Sequence, residues 1–108
     1  MVSIQQIKEL NNCEFDGFIK NGMVLIDFFA EWCMPSIMME PIFDDLNEKF
    51  NGKIIFGRMN IEENRAIKEK LEITSIPCTV LFKDGKIVEK IIGTVQIDEI
   101  EEQLKNYL

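Results

Sequence analysis

The residues best suited to chemistry in this chain are few and scattered. Cys33 sits inside Glu31-Trp32-Cys33-Met34-Pro35-Ser36, with a tryptophan before it and a Met-Pro pair after it. Its sulfur, as thiolate, is a nucleophile toward a disulfide. Three residues on, where a second thiol would complete a redox pair, stands Ser36. Upstream, Asp27 interrupts the apolar run MVLIDFFA over 23–30. A carboxyl held in such a run loses hydration, so its pKa should rise and it can exchange a proton near neutral pH. The third element is Ile76-Pro77, ahead of CTVLF. X-Pro is where cis peptides occur, and a cis bond here would expose the Ile76 backbone to an extended peptide. Each piece also has a plain reading. A lone cysteine is ordinarily a small buried hydrophobe, a pleat can turn an acid toward solvent, and by residue type alone a loop proline is expected trans.

What the sequence lacks narrows the chemistry. With no histidine, it offers no Ser-His or Cys-His nucleophile pair and no His-ligated metal. Cys13, Cys33 and Cys78 form no Cys-x-x-Cys. A zinc site would therefore draw on scattered carboxylates, and no metal is expected. An odd number of thiols does not suit a secreted disulfide framework. With 12 basic and 19 acidic side chains the net charge is −7, which repels phosphate and sets nucleic acid aside.

The 108 residues, 46 % of them apolar, suffice for one compact domain over 1–108. MVSIQQIKEL has no basic region followed by an apolar core, and there is no run of eighteen apolar residues. Neither a secretory leader nor a membrane span is expected, and the reading is cytoplasmic.

These groups must be positioned by regular elements, and the patterning predicts which. SIQQIKEL alternates loosely, as an edge strand would. In NNCEFDGFIK, Asn11 or Asn12 caps a helix carrying Phe15, Phe18 and Ile19. MVLIDFFA has the continuous apolar character of a strand buried on both faces of a parallel sheet. Residues 34–50 form a helix with Met38, Ile42 and Leu46 on one face. Pro35 suits its first turn, Pro41 should kink it, and Asn51-Gly52 closes it. KIIFGRMNI (53–61) is a second buried strand, and Asn64 caps a short helix to about Leu71. CTVLF and KIVEKII are strands joined at Asp84-Gly85; Gly93 ends that unit. Ile97, Ile100 and Leu104 line a final helix. The order β α β α β α β β α implies parallel strands with helical crossovers, then an antiparallel hairpin.

Taken together, these residues resemble the thioredoxin family, over essentially the whole chain. LIDFFAEWCMPS is similar to the family segment ending in Trp-Cys-Gly-Pro-Cys, and SIPCTVLFKDGK to its cis-proline strand. Asp27, Cys33, Pro41, Pro77 and Gly93 match the buried acid, the nucleophile, the helix-kinking proline, the cis-proline and the groove glycine. The resemblance implies a five-stranded mixed α/β sheet ordered 1-3-2-4-5, with helices on both faces. It implies that Trp32, Met34, Pro35, Ile76, Pro77 and Gly93 dock extended, disulfide-containing protein substrates, and that Asp27 relays protons. It further implies a thioredoxin-reductase-type electron donor, no bound cofactor and a monomer.

Three residues depart from the pattern. Met34 stands for glycine, Phe29 for a common tryptophan, and Ser36 for the resolving cysteine. A hydroxyl cannot perform thiol resolution, although it can donate a hydrogen bond to the Cys33 sulfur. Two origins fit Ser36. One is an engineered replacement that traps mixed disulfides, favoured because the other site residues suit a working dithiol enzyme. The other is a natural monothiol or redox-inactive binding module. Cys78 is read as a core residue rather than a resolving thiol, Cys13 as a bystander. Met38 and Met39 are read as filler, with Met34 and Met39 as the candidates for a docking rim.

Overall fold

The central strand is β2, Met23–Phe29, the seven-residue apolar run, buried on both faces beyond its first residue. In the computed structural model, which describes residues 6–108, the other elements arrange themselves around it. They are β1 Lys8–Glu9, α1 Asn12–Ile19, α2 Met34–Lys49, β3 Ile55–Asn60, α3 Arg65–Lys70, β4 Cys78–Lys83, β5 Lys86–Ile92 and α4 Ile97–Lys105. The five strands form one sheet in the order β1-β3-β2-β4-β5, as the resemblance implies. β1–β3 and β2–β3 are parallel, β2–β4 and β4–β5 antiparallel. The expected first strand shortens to Lys8–Glu9 at the sheet edge, and residues 3–5 of that stretch lie outside the described residues.

Alternation along β2 sends successive side chains to opposite faces. Val24, Ile26 and Phe28 pack with Phe15 and Ile19 of α1 and Ile67 of α3. Leu25 packs with Phe43 and Leu46 of α2 and Ile100 and Leu104 of α4. Helices thus cover both faces, which is why the strand tolerates an unbroken apolar sequence.

Local signals hold at most termini. Asn11 caps α1, accepting from Glu14 N at 3.0 Å, while the Glu14 carboxylate accepts from Asn11 N. The Asp84-Gly85 turn has φ of 50° and 85°, the left-handed values that a two-residue hairpin requires. Gly57 has no room for a side chain: a Cβ would lie 2.9 Å from Phe18 and 3.0 Å from Ile26. α2 continues through Pro41, which lies on its exposed side.

α3 is capped differently from expectation. Asn64 occupies the N-cap position, yet its side chain makes no cap bond. Instead its Nδ2 donates to Asn60 O (2.8 Å) and its Oδ1 accepts from Asn12 N (2.9 Å). Asn12 Oδ1 in turn accepts from Ile67 N at 3.4 Å, in the first turn of α3. The two asparagines therefore tie α1 to α3. Asn64→Ala removes two bonds from a buried site and should lower stability by about 2 kcal/mol. Asn64→Asp keeps only the acceptor and should lose less, both read by urea unfolding.

Candidate active site

The strand pairing brings the separated sequence elements to one end of the sheet. β2 ends at Phe29 and runs through Ala30 into the loop bearing Cys33. Its Phe28 pairs with Cys78, the first residue of β4, and Cys78 pairs with Ile92 of β5. Pro77 and Gly93, one position beyond that pair, therefore meet at the Cys33 end, where Gly93 N donates to Pro77 O at 2.8 Å. The Ile76–Pro77 peptide is cis, as the resemblance implies and against the trans expectation from residue type alone. Ile76 is half-buried against the same apolar cluster that contains Cys33, Ala30 and Cys78.

Cys33 caps α2 with extended backbone (φ −93°, ψ 107°), and its side chain makes no cap bond. Its N–H donates to Ala30 O (3.2 Å) and its carbonyl accepts from Ile37 N (3.1 Å). The nucleophile candidate thus sits where a helix presents unpaired N–H groups and its positive dipole end. Pro35 falls in the first turn, where it displaces no helical hydrogen bond. Around Cys33 the surface is apolar and open: Trp32 is 69 % exposed, and Met34, Ile37, Met38 and Ile92 are also exposed.

Here the structure corrects the reading of the methionines. Met38 is 61 % exposed and Met39 is 0 % exposed, so Met34 and Met38 stand on the open side while Met39 fills the core. The stripe of α2 that meets the sheet is Ser36, Met39, Phe43, Leu46 and Asn47; Ile42 is only partly buried. The spacing Met38, Ile42, Leu46 has helical period, but it is rotated from the stripe that α2 turns inward.

Ser36 is also corrected in part. It is buried, and its Oγ has no hydrogen-bond partner among the described residues. The hydrogen bond that Ser36 could donate to the Cys33 sulfur is not made.

Asp27 is fully buried on the α2 face of the sheet, the side to which Leu25 points. Neither of its oxygens has a hydrogen-bond partner among the described residues. Arg58, its pairing neighbour on β3, places Nε 3.5 Å from Asp27 Oδ2, close enough for attraction but without an aligned bond. Desolvation outweighs that attraction, and the carboxyl pKa is pushed up from 3.8 to about 6.

Sequence reasoning missed the rest of this cluster. Arg58 Nη2 donates to Glu40 Oε1 at 2.8 Å, and the guanidinium lies 4.3 Å over the Phe29 ring. Phe29, Glu31, Ile37, Glu40 and Arg58 line a hollow of about 260 Å³. A signal was present, since Arg58 interrupts KIIFGRMNI as Asp27 interrupts MVLIDFFA. Cys78 is buried in the core as expected, and burial pushes its thiol up, with Lys90 opposing and Asp27 adding. Cys13 is exposed on α1. Among the described residues, no cluster of His, Cys, Asp or Glu is arranged to hold a metal, and no helix is long and apolar enough to cross a membrane.

An α/β sheet of this order, with a cysteine at a helix start and Ile76-Pro77 at the same end of the sheet, defines a thioredoxin-fold protein. The chain belongs to the thioredoxin family: the Thioredoxin family model matches residues 6–106. A thioredoxin of Chlamydia pneumoniae is 42 % identical over 87 residues, covering 81 % of this chain and 84 % of its own. A thioredoxin of Staphylococcus aureus is 32 % identical over 102 residues, 94 % of this chain and 98 % of its own. A solved chain from work on the structural basis of the thiol resolving mechanism in yeast mitochondrial 1-Cys peroxiredoxin via glutathione/thioredoxin systems superposes with a TM-score of 0.85. It is 36 % identical and covers 97 % of this chain and 99 % of its own length. Membership makes this chain a thiol–disulfide oxidoreductase.

The Asp27 carboxyl sets a pH dependence whose sign follows from its shift. Its folded pKa of about 6 lies above its ordinary value of 3.8, so between these values the native state holds a proton that the unfolded chain has lost. Stability therefore falls as pH rises through this window, and the full penalty, on the order of 3 kcal/mol, applies above it. Asp27→Asn removes the titration. Its stability relative to the parent should rise between pH 4 and pH 7 and then level off, as measured by denaturant unfolding across pH.

Proposed function

We propose that this protein attacks disulfides in extended protein substrates through Cys33 and, because Ser36 stands at the resolving position, halts at the mixed disulfide. The Cys33 thiolate attacks one sulfur of the substrate disulfide. That S–S bond breaks, a Cys33–substrate disulfide forms, and the departing sulfur takes up a proton, which Asp27 can supply in its protonated form. In a dithiol site, a second thiolate at position 36 would then attack Cys33 and release the reduced substrate. A serine hydroxyl is far too weak an acid to form that nucleophile. An outside thiol must therefore resolve the adduct.

The observation that carries this reading is the placement of Cys33 at the N-cap of α2 with Ser36 buried three residues on. The site otherwise matches a dithiol enzyme. Trp32, Met34, Pro35, Ile76, Pro77 and Gly93 form the docking surface in this reading, with Pro77 and Ile76 as the edge against which extended substrate pairs. The dithiol form draws electrons from a thioredoxin-reductase-type protein without a bound cofactor. The chain acts as one domain over 1–108, as a monomer, in the cytoplasm, and does not bind nucleic acid.

The test compares this chain with Ser36→Cys in catalytic reduction of a protein disulfide by a small dithiol. Ser36→Cys should turn over, while this chain should accumulate a Cys33 adduct of one substrate mass. If neither turns over and no adduct forms, the redox reading is wrong, and the fold serves as a binding module.

A further inference from the structure

Arg58 is shared between two carboxylates that lie at different depths. On the inner side its Nε is 3.5 Å from the buried Asp27 Oδ2, and this Nε has no aligned hydrogen bond among the described residues. On the outer side its Nη2 makes a 2.8 Å bond to Glu40, on the half-exposed flank of α2. The guanidinium also lies over the Phe29 ring, 4.3 Å from its centroid. A guanidinium can satisfy one carboxylate through two parallel N–H bonds. Here the short, aligned bond goes to the outer acid, and the inner acid receives only a longer contact.

We propose that Glu40 is a positioning residue for the reaction. By holding the outer nitrogen of Arg58 at the hollow lined by Phe29, Glu31, Ile37, Glu40 and Arg58, it prevents a closed Arg58–Asp27 pair and keeps the buried carboxyl able to bind and release a proton. This rests on the reading above that Asp27 serves Cys33. A closed pair would fix Asp27 as a permanent anion, and an anion has no proton to give a departing sulfur.

The charged and titratable groups around Asp27 fit this division of labour. β3 contributes Arg58 and α2 contributes Glu40, whose charge raises the Asp27 pKa while that of Arg58 lowers it. β4 contributes the buried Cys78 thiol, and Lys90 of β5 acts on that thiol. Glu31 lies at the rim of the hollow. Glu40 is thus the group that both opposes the effect of Arg58 on the Asp27 proton and bonds to Arg58.

The test is carboxyl-carbon NMR titration of Asp27 in the full chain, in Glu40→Gln and in Glu40→Asp. It is paired with iodoacetamide alkylation of Cys33 across pH in the same proteins, in Asp27→Asn and in the double variant. Glu40→Gln should lower the Asp27 midpoint by about half a unit or more, a threefold change in proton affinity. Glu40→Asp, which keeps the charge, should return it toward the parent value. The alkylation profile should move with the Asp27 midpoint, and in the Asp27→Asn background Glu40→Gln should leave it unmoved. An unchanged midpoint in Glu40→Gln overturns the role of Glu40. So does a rise, since Glu40 would then be holding Arg58 against Asp27. If the midpoint falls but Asp27→Asn itself leaves the alkylation profile unchanged, Asp27 does not serve Cys33, and the underlying reading fails instead.

Discussion

β2 must be covered on both faces, and much of the architecture follows from that. Beyond Met23, no residue from Val24 to Phe29 is exposed. The strand therefore takes hydrogen-bonded neighbours on both edges, β3 and β4, and apolar cover above and below. α1 and α3 supply one cover, α2 and α4 the other. The same constraint delivers Cys33 to a fixed place. A strand locked on four sides can hand its chain to α2 at only one end, where the strands bearing Pro77 and Gly93 also terminate.

Within that frame, the polar cluster around Asp27 is tolerated at a cost. Asp27 is fully buried without an aligned hydrogen bond among the described residues, an arrangement that a purely structural site would be expected to avoid. Arg58 offsets part of the penalty and is itself anchored by Glu40 and the Phe29 ring. A carboxyl that stays near its titration point is useful to a thiol that must attack and depart. The energetic weakness of the cluster and the raised pKa of Asp27 share one cause, the desolvation of its carboxyl.

The outer side of the site has the opposite character. Trp32, Met34, Ile37, Met38 and Ile92 expose apolar surface on a chain of net charge −7. Exposed methionines adapt their shape to different contacts. Ser36 lies on the inner stripe of α2, away from this rim.

The sequence alone determined the element order, the sites of the turns and the residues most able to do chemistry. Each depends on local causes: Asn11 caps because its side chain reaches N–H groups three residues on, and Asp84-Gly85 turns because those residues accept positive φ. Asp27 was legible because one acid in an apolar run has few places to go. Which of Met38 and Met39 enters the core was not legible, since adjacent apolar residues both fit a helical period and the packing of α2 on the sheet sets its rotation. Nor was the exchange of caps between Asn12 and Asn64, which pairs residues far apart in the chain. The Asp27–Arg58–Glu40 arrangement was decided only by tertiary structure. It needs β3 in parallel register beside β2 and α2 laid across both, and pairing of that kind is fixed by the packing of the whole sheet rather than by any one stretch of residues.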